Sequence, residues 1–164
     1  MLKLLSYPLS VIYYVFFGLA LILIHPIQWL CFNFFGYQAH KKSVDFLQLC
    51  LMRCAHILGT RFSFNNPYNI DTNRPLIIVA NHQSLHDIYP LTWYMRKYHP
   101  KFISKIELGK GIPSVSYNLR HGGAALIDRK NPRQSIPALM KFGEYIESTK
   151  RAAVIFPEGT RSKD

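Results

Sequence analysis

The sequence contains few acidic residues and few cysteines, and a long N-terminal stretch carries no charge at all. Nine Asp and Glu stand against 20 Lys and Arg in 164 residues, so the formal net charge is +11. The three cysteines cannot all pair and show no C-x-x-C spacing, which excludes a disulfide framework, a zinc ribbon and a thioredoxin-like redox site. Glycine and proline follow no repeat, which excludes a collagen-like chain. Because 49% of the residues are hydrophobic, the chain is not a disordered polyelectrolyte, and its length fits one domain.

The uncharged stretch covers residues 4–40 and is rich in Tyr, Phe and Trp. Its first part, Leu4–Ile24, is long enough to cross the ~30 Å hydrocarbon core of a bilayer as a helix. His25-Pro26 then interrupts the pattern, and Ile27–Ala39 is too short to cross on its own. The sequence therefore predicts a membrane-embedded helical segment at the N-terminus.

Two geometries fit an anchor over residues 1–40. One is a single span followed by an interfacial segment, and the other is a re-entrant helical hairpin with both ends on the same side. Lys3 and Lys41-Lys42 are basic at the two ends, which favours the hairpin. A cleavable signal peptide would have a shorter apolar core and a small-residue exit site, which this segment lacks. A buried helix of a soluble core stays an alternative.

The charged remainder of the chain divides into a short helix and an α/β domain. Residues 41–59 predict an amphipathic helix, which either packs on the domain or lies in the membrane surface. Residues 60–164 alternate short apolar runs with helical segments, which predicts a mostly parallel sheet flanked by helices. The predicted strands are Leu76–Ala80, Phe102–Ile106, Ala124–Ile127 and Ala152–Phe156, and the predicted helices are Leu85–Lys97 and one opened by Asn131-Pro132.

The first candidate for chemistry follows the strand Leu76–Ala80, where the sequence reads Asn-His-Gln-Ser-Leu-His-Asp. Ligand sites of parallel sheets gather at the carboxyl ends of the strands. A histidine such as His82 serves as a general base near neutral pH, and a carboxylate such as Asp87 can orient it. Helix capping alone would account for Ser84 and Asp87, though not for His82. A metal site on His82 and His86 would be the other possibility, but no glutamate completes the H-E-x-x-H pattern, so no metal is expected.

Further polar groups follow the other predicted strands. After Phe156 the sequence reads Pro-Glu-Gly-Thr-Arg-Ser, in which Gly159 permits close approach of a ligand and Arg161 can clamp a phosphate. Asp128, Arg129 and Lys130 follow the strand that ends at Ile127, and Lys105 lies at the end of the strand Phe102–Ile106. Ordinary solvated turns and charge clusters are the alternative interpretation of each segment.

Taken together, these motifs resemble the glycerolipid acyltransferase family. The resemblance rests on N-H-Q-S-x-x-D at Asn81–Asp87, I-D-R at Ile127–Arg129 and F-P-E-G-T-R-S at Phe156–Ser162, in that order. Lys105-x-Glu107-Leu108 and Ile112-Pro113 match a stretch between the first two motifs. The family normally continues with further strands, whereas this sequence stops at Asp164. The resemblance therefore implies that C-terminal strands are missing from the domain.

The resemblance also implies an activity and roles for the matching residues. The expected reaction moves a fatty acyl group from acyl-CoA or acyl-carrier protein to the free hydroxyl of 1-acylglycerol 3-phosphate, making phosphatidic acid. His82 would take the hydroxyl proton and Asp87 would orient His82. The glycerol phosphate would be bound by residues that follow three strands, with Lys105 as a possible helper; they are Arg129, Glu158, Gly159, Thr160 and Arg161.

The implied partners are the lipid bilayer, lysophosphatidic acid and the acyl donor, with no nucleic acid and no cofactor beyond the co-substrate. The basic surface fits a membrane face or an acidic carrier protein, and the domain is expected on the cytoplasmic face. Glycerol 3-phosphate or another lysolipid as acceptor stays an alternative. So does a non-catalytic membrane protein that binds phospholipid.

Overall fold

The computed structural model describes residues 2–68 and 70–160, and residues 2–5 only as backbone. A long N-terminal helix precedes a sheet of four strands that alternate with shorter helices. The elements are α1 (Leu2–Ala55), β1 (Leu76–Val79), α2 (Ile88–Tyr94), β2 (Lys101–Lys105), α3 (Val115–His121), β3 (Ala125–Ile127), α4 (Pro132–Thr149) and β4 (Ala152–Ile155), with 3-10 turns at His56–Leu58, Leu85–Asp87, Arg96–Tyr98 and Ile106–Gly109.

The chain reverses inside α1 at Gly36, where φ is 74° and ψ is −169°. This backbone conformation is open to glycine but not to residues that carry a Cβ. A straight helix would separate Leu21 from Leu51 by about 45 Å, yet both belong to one buried cluster. The helix is therefore a hairpin of two arms, a first arm (residues 2–35) and a second arm (residues 37–55).

The interruption predicted at His25-Pro26 is wrong, because the first arm continues through Pro26 without a break. Proline removes one helical hydrogen bond and costs roughly 3 kcal/mol in a helix interior. Contacts from the loop before α3 stabilise this part of the arm. The Ser114 hydroxyl donates to the Leu21 carbonyl at 2.7 Å, and the Ser114 amide donates to His25 Nδ1 at 3.1 Å.

The two arms differ in how much apolar surface they bury. The second arm packs Leu47, Leu51 and Ala55 against the first arm and α2, as expected for the apolar face of an amphipathic helix. The first arm leaves large apolar side chains exposed, among them Phe34 at 68% and Phe35 at 74%. By length and composition, α1 is the one helix among the described residues that could cross a membrane.

The sheet is parallel throughout, with strand order β1-β4-β2-β3. The α/β fold with a parallel sheet flanked by helices is therefore confirmed, and each predicted strand matches an observed one within a residue or two at its ends. Because all four strands run in the same direction, the residues that follow them lie along one edge, here called the carboxyl edge. The opposite edge, where the strands begin, is here called the amino edge.

Candidate active site at the carboxyl edge of the sheet

His82 and Asp87 form a hydrogen-bonded pair just beyond β1. The Nδ1–H of His82 donates to Oδ2 of Asp87 at 3.1 Å, and the two side chains are 19% and 27% exposed. The predicted contact between these two residues is confirmed. It holds the imidazole with Nε2 directed away from the carboxylate, and the residues that the structure describes place no hydrogen-bond donor or acceptor on Nε2. That nitrogen is available to accept a proton from a bound hydroxyl.

The Asp87 carboxylate also completes the capping box of the 3-10 turn Leu85–Asp87, in which Ser84 is the N-cap residue. Its Oδ2 accepts hydrogen bonds from the backbone amides of Gln83 and Ser84, both at 2.8 Å, while the Ser84 hydroxyl accepts from the His86 amide at 2.8 Å. The same oxygen of Asp87 therefore serves both the capping box and the contact with His82. The two backbone amides immobilise the carboxylate, so the turn itself sets the orientation of the imidazole.

The ring of Phe156 stacks on one face of the His82 ring. Its ring lies 4.3 Å from the His82 ring, centroid to centroid, at an interplanar angle of 23°. The two residues meet because β1 and β4 are neighbours in register, with the Ala80 amide donating to the Ile155 carbonyl at 3.1 Å. The sequence alone showed Phe156 as the end of a predicted strand and the first residue of the F-P-E-G-T-R-S motif, without a role. Its contact with His82 depends on the strand order.

Arg129 reaches from the end of β3 to the loop after β4. Its guanidinium donates through Nη1 to the Gly159 carbonyl. Gly159 has φ 63°, and a Cβ at this position would lie 3.5 Å from the same nitrogen. The contact spans β2, which lies between β4 and β3. One bond uses one of the five guanidinium N–H groups, so the others can still bind an anion.

The other described residues predicted to bind the phosphate lie at the same edge but form no hydrogen bond or ion pair with one another. Glu158 and Thr160 are exposed in the loop after β4, and Lys105 is exposed at the end of β2. Arg161, to which the sequence assigns a phosphate clamp, lies outside the described residues. The parallel sheet thus brings His82 and Arg129 to one edge, as a single site requires.

The first arm of α1 contacts the site, which the sequence did not indicate. The Tyr13 hydroxyl lies 3.5 Å from His86 Nε2, and the two rings stack with centroids 5.6 Å apart. Tyr89 packs on the same histidine and is 2% exposed, and its burial raises the pKa of its hydroxyl. His86 is therefore engaged with α1, and the first arm passes beside the turn that carries His82 and Asp87.

The chain matches one protein family over most of its length. The profile of the family described as acyltransferase aligns with residues 61–164. The chain is 42% identical over 98 residues to the 1-acyl-sn-glycerol-3-phosphate acyltransferase of Helicobacter pylori, covering 58% of this chain and 38% of that protein. It is 36% identical over 91 residues to the enzyme of the same name from Saccharomyces cerevisiae, covering 54% of this chain and 29% of the yeast protein.

A solved structure shares the fold. The crystal structure of the 1-acyl-sn-glycerophosphate (LPA) acyltransferase PlsC from Thermotoga maritima matches with a TM-score of 0.78 and 25% sequence identity. The match covers 100% of this chain and 65% of the Thermotoga chain. The likeness thus includes the α1 hairpin, while the aligned segment spans well under half of the two sequence relatives.

Proposed function

Because this chain belongs to the acyltransferase family, we propose that it transfers a fatty acyl group to the free hydroxyl of 1-acylglycerol 3-phosphate and so makes phosphatidic acid. The observation that carries the proposal is the His82–Asp87 pair at the edge where Arg129 meets Gly159. A general base and an anion-binding group at one edge fit an acceptor that carries both a hydroxyl and a phosphate. The names of the relatives support the same acceptor.

The proposed mechanism is direct transfer without an acyl-enzyme. Nε2 of His82 takes the proton of the acceptor hydroxyl as the oxygen attacks the thioester carbonyl carbon. The Asp87 carboxylate stabilises the imidazolium that forms. The tetrahedral intermediate then collapses, the carbon–sulfur bond breaks, and the departing thiolate takes the proton back from His82. The products are the new ester and a free thiol.

The proposed phosphate site consists of Arg129 and Lys105 with the loop after β4. Arg129 forms charge-assisted hydrogen bonds to phosphate oxygens, and the absence of a Cβ at Gly159 lets the phosphate approach the backbone. Glu158 either orients an arginine or accepts from an acceptor hydroxyl, and Thr160 donates its hydroxyl. Arg161 stays part of this proposal on the strength of its motif.

The proposed acyl donor is acyl-CoA or acyl-carrier protein. Both are anionic, and a formal net charge of +11 favours their approach. We assign no further cofactor. The thioester supplies the activated acyl group, so the protein needs only the base, the phosphate site and a place for the acyl chain.

A radiolabelled acyl-transfer assay on the complete gene product tests the function. The panel of acceptors is lysophosphatidic acid, glycerol 3-phosphate and lysophosphatidylcholine, each with acyl-CoA and with acyl-carrier protein. We expect labelled phosphatidic acid from lysophosphatidic acid, at a kcat/KM at least about tenfold above the other acceptors, a difference of roughly 1.4 kcal/mol. Preference for another acceptor would reassign the substrate within the family. Phospholipid binding without transfer to any acceptor would contradict the catalytic proposal.

We propose that the first arm of α1 binds the protein to the membrane, with the catalytic domain on the cytoplasmic face. The exposed apolar side chains of this arm support membrane binding, and its contact with His86 through Tyr13 puts the arm beside the site. A lysolipid acceptor would then pass from the bilayer to His82 without crossing water.

Serine substitutions at the tip of the hairpin test the membrane proposal. Phe34→Ser with Phe35→Ser should reduce co-sedimentation with phosphatidylcholine vesicles by about tenfold or more, since burying one such side chain stabilises by ~1.5–3 kcal/mol. The exposure of both rings makes a folding defect unexpected. Tyr68→Ser is the matched control, because Tyr68 is 75% exposed and lies in the loop before β1. Unchanged sedimentation of the double variant would mean that membrane binding does not depend on this tip.

A further inference from the structure

We propose that a cluster of cations at the amino edge of the sheet binds a phosphate group, at a second site separate from that of His82. The cluster consists of Tyr37, Lys41, His99, Lys101 and Arg151, and is here called the amino-edge cluster. It uses none of the residues assigned to acyl transfer.

The topology of the sheet assembles the cluster. Lys101 is the first residue of β2 and pairs with Ala153 of β4, so Arg151 lies next to the start of β2. Lys105, at the other end of β2, belongs to the carboxyl edge. Five strand residues separate the two edges by roughly 15 Å. A phosphate at the amino edge therefore cannot be the acceptor phosphate bound beside Arg129.

Aromatic rings hold the cations in place. The guanidinium carbon of Arg151 lies 4.0 Å from the centroid of the Tyr37 ring and 4.9 Å from that of Tyr145. Nζ of Lys101 lies 5.1 Å from the Tyr37 centroid. The Tyr37 hydroxyl is hydrogen-bonded to His99 Nδ1 at 3.0 Å, which fixes the ring that both cations share. These contacts stabilise the cations without neutralising them.

The cluster carries more positive than negative charge. Its carboxylate neighbour is Asp45, which pairs with Lys41 at 2.5 Å. Among residues 2–68 and 70–160, neither Lys101 nor Arg151 lies within ion-pair distance of a carboxylate. Lys101 is nevertheless only 9% exposed. A buried ammonium group without a counter-ion is unfavourable, and a bound anion would relieve this cost.

Burial and the excess of positive charge lower the pKa values of Lys101 and His99. Burial, followed by the charges of Arg151 and Lys41, lowers the pKa of Lys101 to about 7, and Asp45 only partly opposes them. Burial and the same cations lower the pKa of His99 to about 4, so its ring is neutral at pH 7 and can accept from Tyr37. His40, in the second arm of α1, also lies close enough to interact with the charge of Lys101. An anion would favour the charged form of Lys101 and therefore raise its pKa.

The groups present suit a phosphate more than a carboxylate or a halide. The planar guanidinium of Arg151 can donate two parallel hydrogen bonds, and the Lys101 ammonium adds a point charge, which together match a tetrahedral dianion. The source of that phosphate is either a free phosphate or the headgroup of an anionic lipid. The exposed Phe34 and Phe35 lie only two or three residues before Tyr37, so a bilayer that covers them would also place headgroups near the cluster.

Methyl NMR of the complete gene product in neutral detergent tests the site. Lysines are reductively methylated with ¹³C-formaldehyde, which preserves their charge, and the Lys101 signal is assigned from the Lys101→Arg variant. Without phosphate the signal should titrate near pH 7. Inorganic phosphate should shift the signal saturably and raise its midpoint, whereas chloride at equal ionic strength should do neither. The Lys105 signal reports the carboxyl edge separately.

Two variants and two vesicle types complete the experiment. Arg151→Gln should weaken phosphate binding about tenfold, the loss expected for one charge-assisted contact. Lys97→Gln is the matched control and should leave phosphate binding unchanged. Lys97 is exposed and lies over the Tyr98 ring, outside the cluster. A response to phosphatidic acid vesicles but not to phosphatidylcholine vesicles would identify a lipid headgroup, and a response to inorganic phosphate a free anion. Either supports the site. No shift with either ligand, or equal affinity of the Arg151→Gln variant, would overturn the proposal even if acyl transfer is confirmed.

Discussion

The His82→Ala variant is expected to lose acyl transfer by a factor of about 10²–10⁴, the usual contribution of a general base. Nε2 of His82 is the nitrogen left available for the acceptor hydroxyl once Nδ1 is bonded to Asp87. The side chain is partly exposed and supports no backbone contact in the described residues, so the loss should appear in kcat while the melting temperature stays unchanged. Initial rates of phosphatidic acid formation, measured with saturating donor, provide the readout.

Two further variants show whether the loss is specific to the His82–Asp87 pair: Asp87→Asn tests the partner of His82, and His56→Ala is the control. The asparagine side-chain oxygen can still accept from the Gln83 and Ser84 amides, so Asp87→Asn should keep the capping box while removing the charge that stabilises the imidazolium. Its kcat should therefore fall with little change in stability. His56 is an exposed histidine in the 3-10 turn after α1, hydrogen-bonded to the Thr60 carbonyl, and its replacement should leave the rate unchanged. If His82→Ala retained more than about a tenth of the wild-type rate, the general-base role would be lost.

The Arg129→Ala variant should raise the KM for the phosphorylated acceptor by roughly 10- to 150-fold, which corresponds to ~1.5–3 kcal/mol for a charge-assisted bond to phosphate. The KM for the acyl donor should change little, since the proposed contact is with the acceptor. Arg129→Lys should give an intermediate value, because lysine keeps the charge but lacks the two-pronged geometry of arginine.

Arg129 also donates to the Gly159 carbonyl, so its replacement has a structural alternative that the experiment must separate. If the guanidinium only held the loop after β4, both substrates would be affected alike and the melting temperature would fall. Lys130→Ala is the matched control, since Lys130 is the adjacent exposed cation. Equal losses for both substrates in Arg129→Ala would assign Arg129 to the loop and not to the phosphate.

Local patterns were enough to predict the strands and their polar ends. Four short apolar runs that alternate with helical segments predicted a mostly parallel sheet, because parallel strands need a crossover connection of about this length. The His82–Asp87 contact was expected because a carboxylate shortly after a histidine at a strand end can orient the imidazole. These features depend on neighbours in the chain, which the sequence displays directly.

Other features depended on contacts between distant segments. The hairpin bends at Gly36, whose positive φ favours glycine, whereas contacts from Ser114 stabilise the helix near Pro26. The α4 residues Ile136 and Met140 share the apolar stripe of their helix, yet they are 56% and 65% exposed. Periodicity shows which side chains share a face, but only the position of the neighbouring elements decides whether that face is covered.

By itself, the sequence determined an α/β domain with an uncharged helical N-terminus and a His–Asp motif at a strand end, since composition, periodicity and short-range spacing are properties of the chain. Only the tertiary structure decided that Phe156 stacks on His82, that Tyr13 contacts His86 and that Arg151 and Lys101 share the ring of Tyr37. Every one of these pairs joins residues more than 60 positions apart in the chain. The strand order and the hairpin bring them together, and no local pattern encodes that order.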